Sequence, residues 1–257
     1  MKIAVCGKGG SGKSTIVALL ASEARGRDYK VLVVDSDESN SGLYRMLGFE
    51  HPPVPLMELV GGKKSLKEKM AQPNIFAASS ISLEDISPQH LVEKDGLMLV
   101  SIGKILQSLE GCACPMGVLS REFLKKLTLQ SNELAIVDME AGVEHFGRGV
   151  ESSVDCVLIV AEPPLESVEV AQKIYYLAKG LGIGNIWAVL NKVTSDDIAV
   201  KVAAALQRQR IRVIGRLHFD MGLFESSVEG KVPAKGKVAK DIQGVLDVIL
   251  ADGGKLN

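Results

Sequence analysis

Gly7-Lys8-Gly9-Gly10-Ser11-Gly12-Lys13-Ser14-Thr15 follows directly on the apolar run Lys2-Ile3-Ala4-Val5-Cys6 and leads into residues 13 to 25, where apolar residues recur at three- and four-residue spacing. The stretch from Gly7 to Ser14 fits G-x-x-x-x-G-K-[ST] at every fixed position, and it stands between a strand and a helix, as a phosphate-binding loop must. Glycines let the backbone fold around an anion with its N–H groups pointing inward, and the helix N-terminus adds a favourable dipole. Gly9, Gly10, Ser11, Gly12 and Thr15 are therefore expected to cradle the phosphates of a nucleotide, with Lys13 reaching the β- and γ-phosphates. Ser14 is expected to place its hydroxyl on Mg²⁺, a hard cation that takes oxygen ligands.

Outward from this loop, short apolar runs recur at 31–35, 97–102, 134–139, 157–161, 186–190 and 212–215. They lack alternation, as parallel strands buried on both faces do. Helical spacing at 119–130, 166–181, 197–209 and 237–251 supplies the covering layers. The alternation of strand and helix predicts a doubly wound, mostly parallel α/β sheet with helices on both faces, formed by residues 1–257 as one domain. Residues 38–96 break the rhythm with prolines at 52, 53, 55, 73 and 88 and the cluster Lys63, Lys64, Lys67 and Lys69, and read as surface elaboration with a solvated lysine face.

Composition narrows the function. With 257 residues, 46% hydrophobic and 24% charged, the chain has the make-up of a soluble globular protein. Thirty basic residues against thirty-one acidic ones leave a net charge of −1, too little field to grip a polyanion, so nucleic acid is not an expected partner. The N-terminus has no signal-peptide pattern, so the mature chain is expected to start at Met1. No apolar run approaches the ~18 residues of a membrane span. Four cysteines are too few for a disulfide framework, and a cytoplasmic location without membrane contact is expected.

Lys8 is a second lysine inside the loop, where the generic motif needs none. Here the chain resembles the deviant Walker A family of P-loop NTPases, the ATPases that include MinD, ParA and the nitrogenase iron protein. The resemblance extends to Asp35-Ser36-Asp37, to Asp138-Met139-Glu140-Ala141-Gly142 and to Asn191-Lys192. It implies ATP and ADP as ligands, a homodimer, and a Lys8 that crosses the dimer interface to the partner's nucleotide.

The residues also carry local arguments. Carboxylates at the carboxyl ends of parallel strands sit on the ligand-binding edge of an open sheet, so Asp37 and Asp138 are both expected to face the phosphates and metal. Asp37 is assigned to orienting the attacking water and Asp138 to holding Mg²⁺ through water. Asp35 is read as a strand-end cap. Glu38 stands where the family usually has proline, which leaves the course of that loop open. The amide of Asn191 matches the N6 and N7 edge of adenine, or simply ends a strand in a turn. Position 194 is threonine where guanine readers need a carboxylate, so ATP is favoured over GTP.

Cys112-Ala113-Cys114 lies between Gly111 and Pro115. In an extended segment residues two apart project to one side, so both sulfurs can meet one metal ion. Two thiolates do not complete a four-coordinate site, but a two-fold dimer doubles them. Cys6 and Cys156 lie in strands and read as small buried apolar residues. The cysteine pair, the loop and Gly142-Val143-Glu144-His145-Phe146-Gly147-Arg148-Gly149 together resemble the CooC family, the nickel-insertion ATPases of carbon monoxide dehydrogenase. That resemblance implies a metallochaperone with Ni²⁺ or Zn²⁺ at Cys112 and Cys114 and carbon monoxide dehydrogenase as its client. His145 itself reads as fixing local structure beside the Asp138 loop, the alternative being an extra metal ligand. Two other outputs stay open: a MinD- or ParA-type positioning ATPase, and a redox ATPase with an iron–sulfur cluster bridging the dimer.

Overall fold

The apolar runs become the strands of one sheet. The computed structural model describes residues 1–69, 75–104, 114–233, 236 and 238–253, apart from the side chains of Lys63, Lys64, Lys67, Lys69 and Cys114. In chain order its elements are β1 (Lys2–Gly7), α1 (Lys13–Arg25), β2 (Lys30–Asp35), α2 (Leu43–Met46), α3 (Leu56–Leu59), α4 (Gly62–Lys69), β3 (Val92–Lys94), β4 (Leu97–Ser101), α5 (Cys114–Lys126), β5 (Glu133–Asp138), α6 (Glu144–Gly147), β6 (Cys156–Ala161), α7 (Leu165–Gly180), β7 (Asn185–Val193), α8 (Asp196–Arg208), β8 (Arg212–His218), α9 (Met221–Glu229) and α10 (Val238–Gly253).

The strands form an eight-stranded sheet in the order β3-β4-β2-β5-β1-β6-β7-β8. Every pairing is parallel except β3 with β4. This is the expected doubly wound architecture. The chain builds outward from β1 on one side and then crosses to β6 on its other side, so β1 lies beside the switch point where such sheets bind ligands. Register sharpens the placement, because Asp35 of β2 stands opposite Asp138 of β5 and Val5 of β1 opposite Asp138.

Alternation along each strand feeds two cores. Ala4 and Cys6 face the layer built by α3, α4, α5, α7 and α8, while Ile3 and Val5 face α1, α2 and α10. The 38–96 stretch departs from its expected role. Leu56, Met57, Leu66, Phe76, Ile81 and Leu83 from this stretch are buried in the first core, so the stretch is a structural layer and not surface elaboration. Pro52, Pro53 and Pro55 part α2 from α3, and Gly61 and Gly62, with φ of 90° and 78°, part α3 from α4, which leaves helices too short to show the periodicity of their apolar residues.

Two further differences have local causes. β3 and β4 form a hairpin whose turn residues Asp95 and Gly96 have φ of 52° and 76°, the backbone that a tight Asp-Gly turn demands. α5 begins at Cys114, earlier than the expected start near 119, because Pro115 suits the first turn of a helix, where its missing N–H goes unused.

Candidate nucleotide site

The phosphate loop folds as its glycines require. Gly7 leaves β1 so close to β6 that an added Cβ would stand 2.5 Å from the Val160 carbonyl oxygen. Gly12 caps α1 with φ of 93°, and a Cβ there would meet the Asn191 amide at 2.4 Å. The loop opens on a cavity of about 550 Å³ lined by Gly9, Gly10, Gly12, Lys13, Ser14 and Thr15, together with Asp37, Asn40 and Asn191. Lys8 is half-buried and Ser11 fully buried, with the Ser11 N–H donating to the Lys8 carbonyl. Lys13 is only 7% exposed and lies at the root of the cavity. At the far end Phe219 and Phe224 present exposed rings with centroids 6.2 Å apart.

The sheet edge gathers three carboxylates behind the loop. The Ser14 hydroxyl donates to Asp138 Oδ2 at 2.6 Å, and Asn40 Nδ2 donates to the Ser14 oxygen at 3.0 Å. Burial pushes Asp138 up to about 7, with Asp35 and Asp37 adding to the rise and Ser14 and Lys13 opposing it. Burial likewise pushes Asp35 up to about 6, with Asp37 adding and Lys104 opposing. Asp138 Oδ1 is buried with no hydrogen-bond partner among the described residues. An orphaned carboxylate oxygen beside a serine hydroxyl, in a cluster short of positive charge, is a donor set that fits Mg²⁺.

Asp37 lines the cavity, but its Oδ1 also holds the following turn, accepting from Ser39 N at 3.0 Å, Ser39 Oγ at 2.6 Å and Asn40 N at 3.3 Å. Asn191 ends its strand against the loop, with Nδ2 donating to the Ser11 carbonyl at 2.8 Å. The neighbouring Lys192, with φ of 56°, donates to the Gly10 carbonyl and lies 3.3 Å from Glu162. Both residues of the Asn191-Lys192 pair thus clamp the loop from outside.

Sequence reasoning missed Lys104 and Arg148. Lys104 Nζ sits 2.7 Å from Asp35 Oδ2 and donates to the carbonyls of Asp37 and Asn40, so it is more than a neutraliser of a strand-end cap. Its position just past the carboxyl end of β4 was the available signal. Arg148 Nη1 lies 2.7 Å from Glu140 and 3.6 Å from Glu38. Glu38, at the position where proline is usual, is therefore a buried ion-pair partner. The Arg148 stem also crosses Gly117 of α5, where an added Cβ would stand 2.4 Å from Cδ. Ser36 Oγ meets Ser120 Oγ of the same helix at 2.5 Å.

Cys112 lies outside the described residues, as does the side chain of Cys114, whose backbone opens α5. Cys6 and Cys156 are buried as expected, and burial pushes both thiols up, that of Cys6 well above its ordinary value. His145 is buried beside the Asp138 loop, with Nε2 3.2 Å from the Gly142 carbonyl. Among the described residues no helix is long and apolar enough to cross a membrane.

Comparison with known proteins agrees with this geometry. Residues 2–234 match the CbiA family, described as the CobQ/CobB/MinD/ParA nucleotide binding domain. An uncharacterised ATP-binding protein of Methanocaldococcus jannaschii is 45% identical over 201 residues, covering 76% of this chain and 80% of its own. The carbon monoxide dehydrogenase accessory protein CooC of Rhodospirillum rubrum is 33% identical over 228 residues, covering 87% and 85%. In structure the cell division ATPase MinD of Pyrococcus furiosus superposes with a TM-score of 0.71 at 22% identity, covering 96% and 97%, and MinD of Pyrococcus horikoshii, solved with Mg-ADP, with 0.72 at 15% identity, covering 96% and 95%. A phosphate loop at the switch point of this sheet, matched by the family over nearly the whole chain, makes the protein a member of the CobQ/CobB/MinD/ParA family of nucleotide-binding P-loop proteins.

Proposed function

We propose that the chain is an ATP-hydrolysing metallochaperone of the cytoplasm that dimerises on Mg-ATP, carries Ni²⁺ or Zn²⁺ at Cys112 and Cys114, and delivers nickel to a carbon monoxide dehydrogenase. The observation that carries this reading is the short connection from the phosphate site to α5. The loop after β2 reaches that helix through Ser36 and Ser120, and Arg148 joins Glu38 and Glu140 while lying over Gly117. Gly117 stands one turn from Cys114, the first residue of the helix. A nucleotide can change metal affinity only by favouring one of two states that differ at the metal ligands, and a helix that touches the switch and carries a ligand is a direct means. Likeness over most of both chains to a carbon monoxide dehydrogenase accessory protein supports the choice of client.

In this reading Lys13 reaches the β- and γ-phosphates, Asp37 orients the attacking water and Lys8 serves the partner's nucleotide. Ser14 and, through water, Asp138 hold Mg²⁺, which when bound neutralises charge on the phosphate oxygens. Asn191 faces adenine with its amide oxygen, and offers Nδ2 only by releasing Ser11. A membrane-switch output is less favoured because Ile242, Val245, Leu246 and Ile249 of α10 are buried against the sheet.

The test is gel filtration with and without Mg-ATP, joined to elemental analysis. A dimer with nickel or zinc that requires the cysteine pair supports the proposal. Visible absorbance from iron and sulfide after anaerobic purification replaces it with the redox reading. Lys13→Ala is expected to abolish ATP turnover in a chain that stays folded by circular dichroism, and unchanged turnover removes the loop from catalysis.

A further inference from the structure

Three ligand-type side chains that the nucleotide reading does not use meet beneath the phosphate loop. Cys6 stands one residue before Gly7 in β1, and His145 and Glu151 belong to α6 and the 3-10 turn Val150–Ser153. Their sulfur, nitrogen and oxygen ligand atoms all lie within 4.8 Å of one another, and the three residues are 0%, 2% and 0% exposed.

Hydrogen-bond accounting shows what this cluster needs. His145 Nε2 faces the Gly142 carbonyl, which only accepts, so the ring proton belongs on Nε2. Nδ1 then turns its lone pair toward Glu151 Oε1. Two acceptors facing each other require a positive species, either a proton shared directly between them or a metal cation that the two side chains part slightly to admit. A proton serves that pair alone. Glu151 Oε2 is buried without a hydrogen-bond partner among the described residues, and the Cys6 sulfur converges on the same point. One divalent cation would collect thiolate, carboxylate and neutral imidazole with no net charge, which suits a site this deep. A ligating imidazole whose other nitrogen is fixed on a carbonyl is also the usual arrangement at metal centres.

We propose that Cys6, His145 and Glu151 form a buried site for a thiophilic divalent cation of the Zn²⁺ class, separate from Cys112 and Cys114. Mixed sulfur, nitrogen and oxygen donors suit zinc and its spectroscopic substitute Co²⁺. Cys6 is then a ligand, beyond the small packing residue its strand position suggests. The Gly142 N–H donates to the Gly7 carbonyl at 3.1 Å, so an ion here would tie β1 and the phosphate loop to the segment after Asp138.

The test uses the whole chain carrying Cys112→Ala and Cys114→Ala, with Co²⁺ as the probe. The expected result is about one Co²⁺ per protomer, a thiolate-to-cobalt charge-transfer band, and a melting temperature that rises with the ion and falls with chelator. Adding Cys6→Ser removes the band, Cys156→Ser leaves it, and Glu151→Gln weakens Co²⁺ binding about tenfold or more. A double-alanine chain that binds no Co²⁺ overturns the proposal, and so does a band that survives Cys6→Ser. The first of these outcomes needs no substitution in the site itself. Since the cysteine pair is removed throughout, neither outcome bears on the metallochaperone reading.

Discussion

Asp37 Oδ1 accepts from Ser39 and Asn40, so alanine there removes a turn anchor as well as a carboxylate. Asp37→Asn keeps an acceptor oxygen and separates the two roles. Both variants are expected to bind Mg-ATP, and Asp37→Asn to hydrolyse it about tenfold or more slowly, since orienting a water acts on the transition state. Single-turnover kinetics with a nucleotide-binding assay checks this, and wild-type hydrolysis by Asp37→Asn moves the role to Asp138 or Glu140. Asp138 makes a pH prediction. Its folded value of about 7 lies above its ordinary value, so the nucleotide-free protein favours the protonated form and the unfolded chain ionises first. Stability from this group is full at low pH, falls from about pH 4 to about 7 and then levels off. Asp138→Asn should flatten that fall in urea titrations of the nucleotide-free protein, and an unchanged slope would assign it to Asp35.

At the level of elements, α5 is the part whose placement matters most. Arg148→Ala removes the bridge between Glu38, Glu140 and the helix, and is expected to leave ATP binding intact while metal affinity stops responding to nucleotide. Metal titrations with ADP and with a non-hydrolysable ATP analogue check it, and a preserved difference between the two assigns the coupling to Ser36 and Ser120. The edge hairpin offers a separate stability test. Gly96→Val forces a β-branched residue to φ of 76° and should cost about 1–2 kcal/mol without touching the nucleotide site. Thermal melts beside ATP binding measure both effects. The signal for this hairpin was present in Asp95-Gly96, but β3 is only three residues long and two of them, Glu93 and Lys94, are charged, so periodicity alone passes over it.

For the whole molecule, the cysteine pair predicts a stoichiometry. Two cysteines per chain fill a tetrahedral thiolate site only across a two-fold axis, so metal-induced dimers should hold about one ion per dimer at that place. Replacing Cys112 and Cys114 by alanine is expected to abolish metal-induced dimerisation. Analytical ultracentrifugation with added Ni²⁺ or Zn²⁺ decides this, and dimers that still form in the variant remove the pair from the interface. Because binding requires deprotonated ligands, the dimer should weaken as pH falls.

The doubly wound parallel sheet and the phosphate loop were legible in the sequence because they rest on local pattern: apolar runs of strand length, helical spacing between them, and glycines at fixed offsets before Lys13 and Ser14; the order of the strands in the sheet was not. The carboxylates Asp37 and Asp138 were legible for a related reason, since a parallel strand delivers its carboxyl end to one edge. What only the tertiary structure decided was every relation between groups distant in the chain. Lys104 closes on Asp35 across 69 residues, Asn191 reaches Ser11 across 180, and His145 and Glu151 come together beneath Cys6. The 38–96 stretch belongs to the same class, because its burial depends on the sheet face it covers and not on its own periodicity. Local pattern records which backbone a segment prefers, whereas side-chain charge, pairing and burial depend on what the folded sheet brings within a few ångströms.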